Sequence, residues 1–368
     1  MKICFLLPSN DIAGGIFTVY EHAKRLARKG HQAVIAFEER STPLRITLYP
    51  GMELVRTTRL HDIAEREEFD AACATWWETA YSIKRICAKC YCYFVQAFEE
   101  RFYEPCEVST RSLVRKTYEE NLHLFTVTHA LRHYLRDEFG QESTLVRNSV
   151  DVQSFERAIP RIPRNGSDRI RVLVEGRGSL PLKRIGFAFS VLRDVPEAET
   201  VYLGPDEWRE RCWRIDHHFT RVPYDEVPGI YASCDVLLKL SSEESFARPV
   251  LEMFASGGTA IVSAFQGHAE YIRHGGNALV VPIDDREAAV RALRQVVADR
   301  DLRAKLQAGA RETCREFSWD DSNAVLEAAL QEMLARHRWR LLLLLKARST
   351  RLWQAVSGIA MPWRSHVH

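Results

Sequence analysis

Several features are scarce in this chain of 368 residues, and each scarcity removes a class of protein. Net charge is only +2, with 51 Lys and Arg against 49 Asp and Glu, so composition makes no case for nucleic acid as a partner. No run is apolar for long enough to cross a bilayer; the five leucines Leu341–Leu345 fall far short. The opening Ile3-Cys-Phe-Leu-Leu7 is too short for a signal peptide and meets Pro8-Ser-Asn-Asp at once, so it reads as a first buried strand. Nine cysteines without a secretion signal point to reduced thiols in a cytoplasm. Only Cys87, Cys90 and Cys92 cluster, and no second pair at zinc spacing accompanies them. Packing against Tyr91 and Phe94 is therefore expected there rather than a metal. A dinucleotide fingerprint is missing too, since Gly14-Gly15 lacks its spacing, which argues against a nicotinamide oxidoreductase.

What is present is an alternation of short apolar runs with helix-length amphipathic segments, the pattern of a parallel sheet covered by helices. In the first half the pattern predicts strands near 3–7, 33–37, 71–75, 93–96 and 124–127, with a helix over 16–28 stopped by Gly30. Residues 159–168, rich in Pro, Arg, Gly and Asn without apolar period, read as a linker. The pattern then restarts, with strands near 172–175, 200–203, 236–240, 259–262 and 279–281 and helices over 286–298 and 301–316. The expected fold is α/β: two doubly wound Rossmann-like domains, 1–160 and 161–320, facing across a ligand cleft at the carboxyl ends of their strands.

Candidate site residues fall at those strand ends. Glu244-Ser-Phe-Ala-Arg-Pro-Val-Leu-Glu252 crosses a loop-to-helix junction, with Pro249 where a helix begins. Phe246, Ala247 and Arg248 lead into the helix N-terminus, where free N–H groups favour phosphate. Glu252, one turn further in, can accept both hydroxyls of a ribose. Arg177, Lys183 and Arg184 follow the first strand of the second half, where cations can clamp a diphosphate. Gly14 and Gly15 open the first helix and permit close backbone approach to a ligand. A glycine-punctuated pair of turns, Gln266–Glu270 and Gly275–Asn277, can shape a base or sugar pocket.

Residues 237–281, with 310–319, closely resemble the C-terminal domain of glycosyltransferase family 4, retaining enzymes of the GT-B fold. The likeness extends to Arg177 and Lys183, to Asn148-Ser-Val-Asp151, and to Gly14-Gly15 and Gly30-His31, covering about residues 1–330 in order. It implies that Glu252 holds the ribose, that Glu244 sits by the donor sugar and phosphates, and that Arg177 and Lys183 neutralise the leaving diphosphate. It further implies a nucleotide-diphosphate sugar as substrate, no metal or other cofactor, and a front-face mechanism in which the departing phosphate takes the acceptor proton. Two substitutions depart from the pattern, Ala247 and Ser149 standing where glycines are usual. Where many members place a histidine near the donor's 6-hydroxyl, this chain has Thr75 or Trp76. Beyond it, Tyr93-Phe-Val-Gln96-Ala-Phe-Glu99-Glu-Arg-Phe102-Tyr103 is similar to bacterial rhamnosyltransferase-like members. A 6-deoxy donor such as dTDP-rhamnose is thus expected, with Thr75, Trp76, Gln96 and Glu99 as acceptor- or sugar-side candidates; Trp76 and Trp77 as core or acceptor-stacking residues is the alternative. Residues 321–335 are expected to cross back to the first domain. From 336 to 368 the chain carries seven cations, no acids and Trp339, Trp353 and Trp363, a composition suited to an anionic membrane surface. A cytoplasmic enzyme, peripheral on the inner face of the plasma membrane and acting on a glycan or lipid-linked acceptor, fits these features. A nucleotide-sugar 2-epimerase of the same fold, or an inactive glycan-binding homologue, are the competing readings.

Overall fold

Buried apolar runs become the central strands of two parallel sheets in the computed structural model, which describes residues 1–9, 14–38, 49, 51–164, 166, 168–205 and 213–357, with side chains through 339. The first sheet contains β1 (Lys2–Leu7), β2 (Gln32–Phe37), β3 (Arg56–Arg59), β4 (Glu68–Ala74), β5 (Cys87–Val95), β6 (His123–Thr126) and β7 (Ser143–Leu145). Its order is β3-β2-β1-β4-β5-β6-β7. The second contains β8 (Arg171–Glu175), β9 (Glu199–Gly204), β10 (His217–Thr220), β11 (Val236–Lys239), β12 (Thr259–Ser263) and β13 (Ala278–Val281), ordered β10-β9-β8-β11-β12-β13. The order in which strands are added to each sheet reverses at its first strand: β1 lies between β2 and β4, and β8 between β9 and β11. Crevices open at such switch points, beyond the carboxyl ends of the strands.

Helices α1 (Gly14–Arg28), α2 (Leu60–Ile63), α3 (Trp77–Ser82), α4 (Val108–Thr117), α5 (His129–Phe139) and α6 (Val152–Glu156) belong to the first half of the chain. The second half has α7 (Ile185–Leu192), α8 (Val227–Tyr231), α9 (Arg248–Ala255), α10 (Arg286–Ala298), α11 (Arg300–Cys314) and α12 (Trp319–Ser357). One core covers the first sheet, and two cover the faces of the second. Gly30 ends α1 at φ 86°, a left-handed turn that glycine makes without steric cost.

Three strands escaped the sequence pattern: β3 (Arg-Thr-Thr-Arg), β7 (Ser-Thr-Leu) and β10 (His-His-Phe-Thr). Each is an edge strand of at most four residues, and edge strands need little apolar surface to pair. β5 starts six residues before its expected beginning, so Cys87, Cys90 and Cys92 lie along one strand. Cys92 is buried while Cys87 is exposed, a divergence imposed by the period of two. Domain composition also shifts: Val150, Phe155 and Ile162 pack into a core of the second sheet, and α6 rests on α8 and α9.

Helix α12 returns to the first domain. Leu326 and Leu330 join its core, and the Asn323 amide donates to the His22 carbonyl at 3.1 Å. Arg25 pairs with Asp320 at 2.9 Å, and both Lys29 and His31 meet Glu327 at 2.8 Å. The helix runs through 335 without interruption. Tail residues 358–368, including Trp363, lie outside the described residues, as do the side chains from Arg340 onward.

Candidate active site

The two crevices face each other and merge into one cleft of about 510 Å³. Its second-domain wall is built from the ends of β8 and β11 and the start of α9. Glu244 lies in the loop after β11. Lys183 donates to its Oε1 at 2.7 Å, Ser241 at 3.0 Å, and Lys239 lies 3.5 Å away. Burial alone would raise the Glu244 carboxyl, but Lys183 and Lys239 outweigh it and hold the pKa down at about 2. Glu244 is therefore a carboxylate at any working pH. Lys239 is 2% exposed, closes on Glu175 at 2.7 Å, and is kept charged by Glu175 and Glu244 against the desolvation of its site.

The α9 junction follows. Its first residues are Arg248 and Pro249, and its capping residue is Ala247 at φ 53°. That left-handed backbone explains why a glycine suits the position, since a Cβ there costs roughly 1 kcal/mol. Glu252 is almost fully buried; Arg248 Nε donates to it at 2.8 Å and the Tyr224 hydroxyl at 3.2 Å. The Arg248 guanidinium, 4.0 Å from the Phe17 ring, also donates to the Gly14 carbonyl at 3.4 Å, so the ribose candidate and the Gly14-Gly15 turn are joined across the cleft. Phe17 in turn meets Tyr224 at 3.9 Å between ring centroids.

The first-domain wall carries Gly14, Gly15, Thr75, Trp76, Gln96 and Glu99. Thr75 donates its hydroxyl to the Leu6 carbonyl at 2.8 Å, so that group is committed to the fold. Trp76 stands edge-on to Phe102 with centroids 5.5 Å apart. Glu99 is wholly buried; its carboxyl accepts from the Trp77 amide and the Tyr93 hydroxyl, each at 2.7 Å. Burial pushes its pKa up to about 8. The Ser245 hydroxyl reaches across and donates to the Gln96 carbonyl, tying the walls together.

Thirteen of the candidates named from the sequence line one cleft: Arg177, Lys183, Glu244, Phe246, Ala247, Arg248 and Glu252 on one side, the six above on the other. Arg184 does not, its guanidinium pairing with Asp284 instead. Cleft residues not singled out from the sequence include Phe17, Glu175, Arg221, Tyr224 and Lys239. Lys239 had a signal, since a lone ammonium ending an apolar strand needs a buried partner. Two expectations are corrected. The turns 266–270 and 275–277 do not line the cleft. Gln266 and Glu270 join the domains instead, through Arg101 and through Arg147 and His129. Asn277 is buried, donating to the Tyr271 carbonyl and the Thr313 hydroxyl, both within 3 Å. Among cleft residues of the second domain, five cations (Arg177, Lys183, Arg221, Lys239, Arg248) stand against three carboxylates (Glu175, Glu244, Glu252), an excess suited to an anion.

Two parallel-sheet Rossmann-like domains facing across such a cleft, with a helix crossing back, define the GT-B fold. Residues 216–313 match the family model of glycosyl transferases group 1. The Rhizobium meliloti lipopolysaccharide core biosynthesis glycosyltransferase LpsE is 33% identical over 30% of this chain and 32% of its own. The Mycolicibacterium smegmatis phosphatidyl-myo-inositol mannosyltransferase is 25% identical over 57% of each chain. The chain thus spans about a third to three fifths of the length of these curated relatives. Anabaena HepE, solved in complex with UDP-glucose, superposes with a TM-score of 0.74 at 14% identity, covering 90% of this chain and all of that one.

Proposed function

We propose that this protein is a retaining, metal-independent glycosyltransferase of the family 4 type, moving a sugar from a nucleotide diphosphate to a growing bacterial surface glycan or a lipid-linked acceptor. The carrying observation is the second-domain wall, where Arg177, the Lys183–Glu244 pair and the α9 N-terminus face one cleft. Breaking the sugar–phosphate bond leaves its electron pair on the diphosphate. Preorganised cations and backbone N–H groups stabilise that charge as it develops. The acceptor oxygen bonds the anomeric carbon on the same face, and its proton passes to the departing phosphate. Glu252, oriented by Arg248 and Tyr224, accepts from the ribose hydroxyls. In this reading the cations of the wall take the place of a divalent ion.

The donor sugar is a 6-deoxyhexose such as rhamnose. Supporting this, the Thr75 hydroxyl is already committed and Trp76 with Phe102 offers an aromatic edge, on which a buried hydroxyl would go unpaired. A lipid-linked or surface-glycan acceptor agrees with the names of the relatives. The basic tail beyond Arg336 would hold the enzyme at an anionic membrane, and truncation there should abolish retention on anionic vesicles. No helix of the described residues is long and apolar enough to cross a membrane.

The deciding experiment is mass spectrometry of products from UDP-, GDP- and dTDP-sugars offered with lipid-linked acceptors. A glycosylated acceptor from dTDP-rhamnose is expected. Preference for UDP-glucose or GDP-mannose would overturn only the deoxysugar assignment. An isomerised sugar without acceptor gain would make the protein an epimerase, and no nucleotide release from any donor would overturn the transferase reading itself.

A further inference from the structure

Two oxygens on the first-domain wall are buried without a hydrogen-bond partner among the described residues: Glu99 Oε1 and Gln96 Oε1. Both residues line the cleft. The hydrogen bonds that Glu99 accepts all fall on its other oxygen, Oε2, leaving Oε1 unpaired. A buried polar atom left this way loses its water without gaining a partner, so two on one wall are not neutral packing. We propose that Glu99 and Gln96 form a subsite that binds a hydroxyl of a sugar ring. This deepens the glycosyltransferase reading and rests on it.

The chemistry of the pair selects that ligand. Burial keeps Glu99 protonated at neutral pH. Because Oε2 already accepts two hydrogen bonds, the proton resides on Oε1 as a donor. Gln96 Oε1 supplies an acceptor. A hydroxyl both donates and accepts, so it can pair with either atom, which no purely accepting or purely donating group can do. A phosphate or carboxylate only accepts and leaves Gln96 unpaired, while an ammonium only donates and leaves the Glu99 proton unpaired. The subsite also has a fixed place. The Gln96 amide lies 3.4 Å from where a Cβ on Gly15 would stand, against the turn that opens α1. Its backbone carbonyl is held by Ser245, the residue after Glu244. Trp76 and Phe102 supply an apolar flank of the kind a sugar ring packs on. The hydroxyl can come from the donor sugar or from the acceptor glycan.

Calorimetry on the full chain separates the sources. Wild type, Glu99→Gln, Glu99→Leu and Gln96→Leu are titrated with UDP, GDP and dTDP, then with their nucleotide sugars, then with methyl glycosides in the presence of the matching nucleotide. All variants should bind the bare nucleotides within about twofold of wild type. Gln96→Leu and Glu99→Leu should weaken a sugar-bearing ligand by about tenfold or more, the scale of one lost hydrogen bond. Glu99→Gln, whose amide can donate in place of the acid proton, should retain most of the affinity. Loss confined to nucleotide sugars assigns the hydroxyl to the donor, and loss confined to glycosides assigns it to the acceptor; both support the subsite. Unchanged sugar binding in Gln96→Leu, or equal loss of the bare nucleotides, overturns it. If Glu99→Leu does not fold, Gln96→Leu decides. A wild type that binds no nucleotide, yet binds glycosides through Gln96, would refute the transferase reading and leave the subsite standing.

Discussion

The two walls of the cleft solve opposite problems. On the second-domain wall, polar side chains are satisfied before any ligand arrives: Glu244 by Lys183, Glu175 by Lys239, Glu252 by Arg248. Paired ions of this kind are rigid, and rigidity lets cations stabilise charge without reorganising at the moment it forms. The first-domain wall is sparse by contrast, with two glycines, an aromatic edge and the unpaired oxygens of Gln96 and Glu99. A charged, pre-satisfied surface suits the invariant part of a nucleotide sugar. An incomplete, largely neutral one suits the part that differs between substrates.

Four substitutions test that contrast, in descending order of expected effect. Lys183→Ala or Arg177→Ala should lower turnover by about 10²–10³-fold with the fold intact, the scale of one preorganised donor. Near-normal rates in steady-state assays would show that the charged wall does not serve the chemistry. Lys239→Met should act on stability first. It leaves Glu175 without its cation, at about 3 kcal/mol, the lower end for a broken buried pair because Glu175 keeps some solvent and Glu244 keeps Lys183. A chemical denaturation midpoint equal to wild type would contradict this.

Glu99→Gln should have the smallest effect, visible mainly in pH dependence. The folded pKa of Glu99, about 8, lies above the unfolded value of 4.5. Its protonated form therefore contributes stability in full below about pH 4.5, and that contribution is lost as pH rises through 8. The groups facing Glu99 are the Tyr93 hydroxyl, the Trp77 amide, Tyr118 and Glu100. Both tyrosines are held well above their ordinary range, by burial and by the nearby carboxyls, so they stay neutral in this window. Wild type should lose stability relative to Glu99→Gln as pH rises from about 4.5 to 8, and parallel curves in urea denaturation would place the titration elsewhere.

Much of the charged wall was legible because its chemistry is local. Glu244, Arg248 and Glu252 sit within nine residues of one loop-to-helix junction, and Arg177 and Lys183 within one turn. Lys239 was not, because it lies inside the otherwise apolar run Val236–Leu240 and reads as part of a buried strand. Its role depends on Glu175, 64 positions away and brought near by the pairing of β8 with β11. Phe17 and Tyr224 escaped for the same reason: each is an ordinary aromatic until the domains meet. The turns around Gln266 and Gly275 misled in the other direction, since glycine-rich loops at strand ends resemble pocket walls whichever way they face.

By itself the sequence determined the alternation of strands and helices, the stop at Gly30, the span 286–298 of α10 and the residue types needed for a diphosphate. Those depend on periodicity and on local backbone preference, which act over a few residues. Only the tertiary structure decided which carboxylate each cation meets and which oxygens of Gln96 and Glu99 stay unpaired. Strand order and domain closure set these, and both arise from the burial of surfaces far apart in the chain.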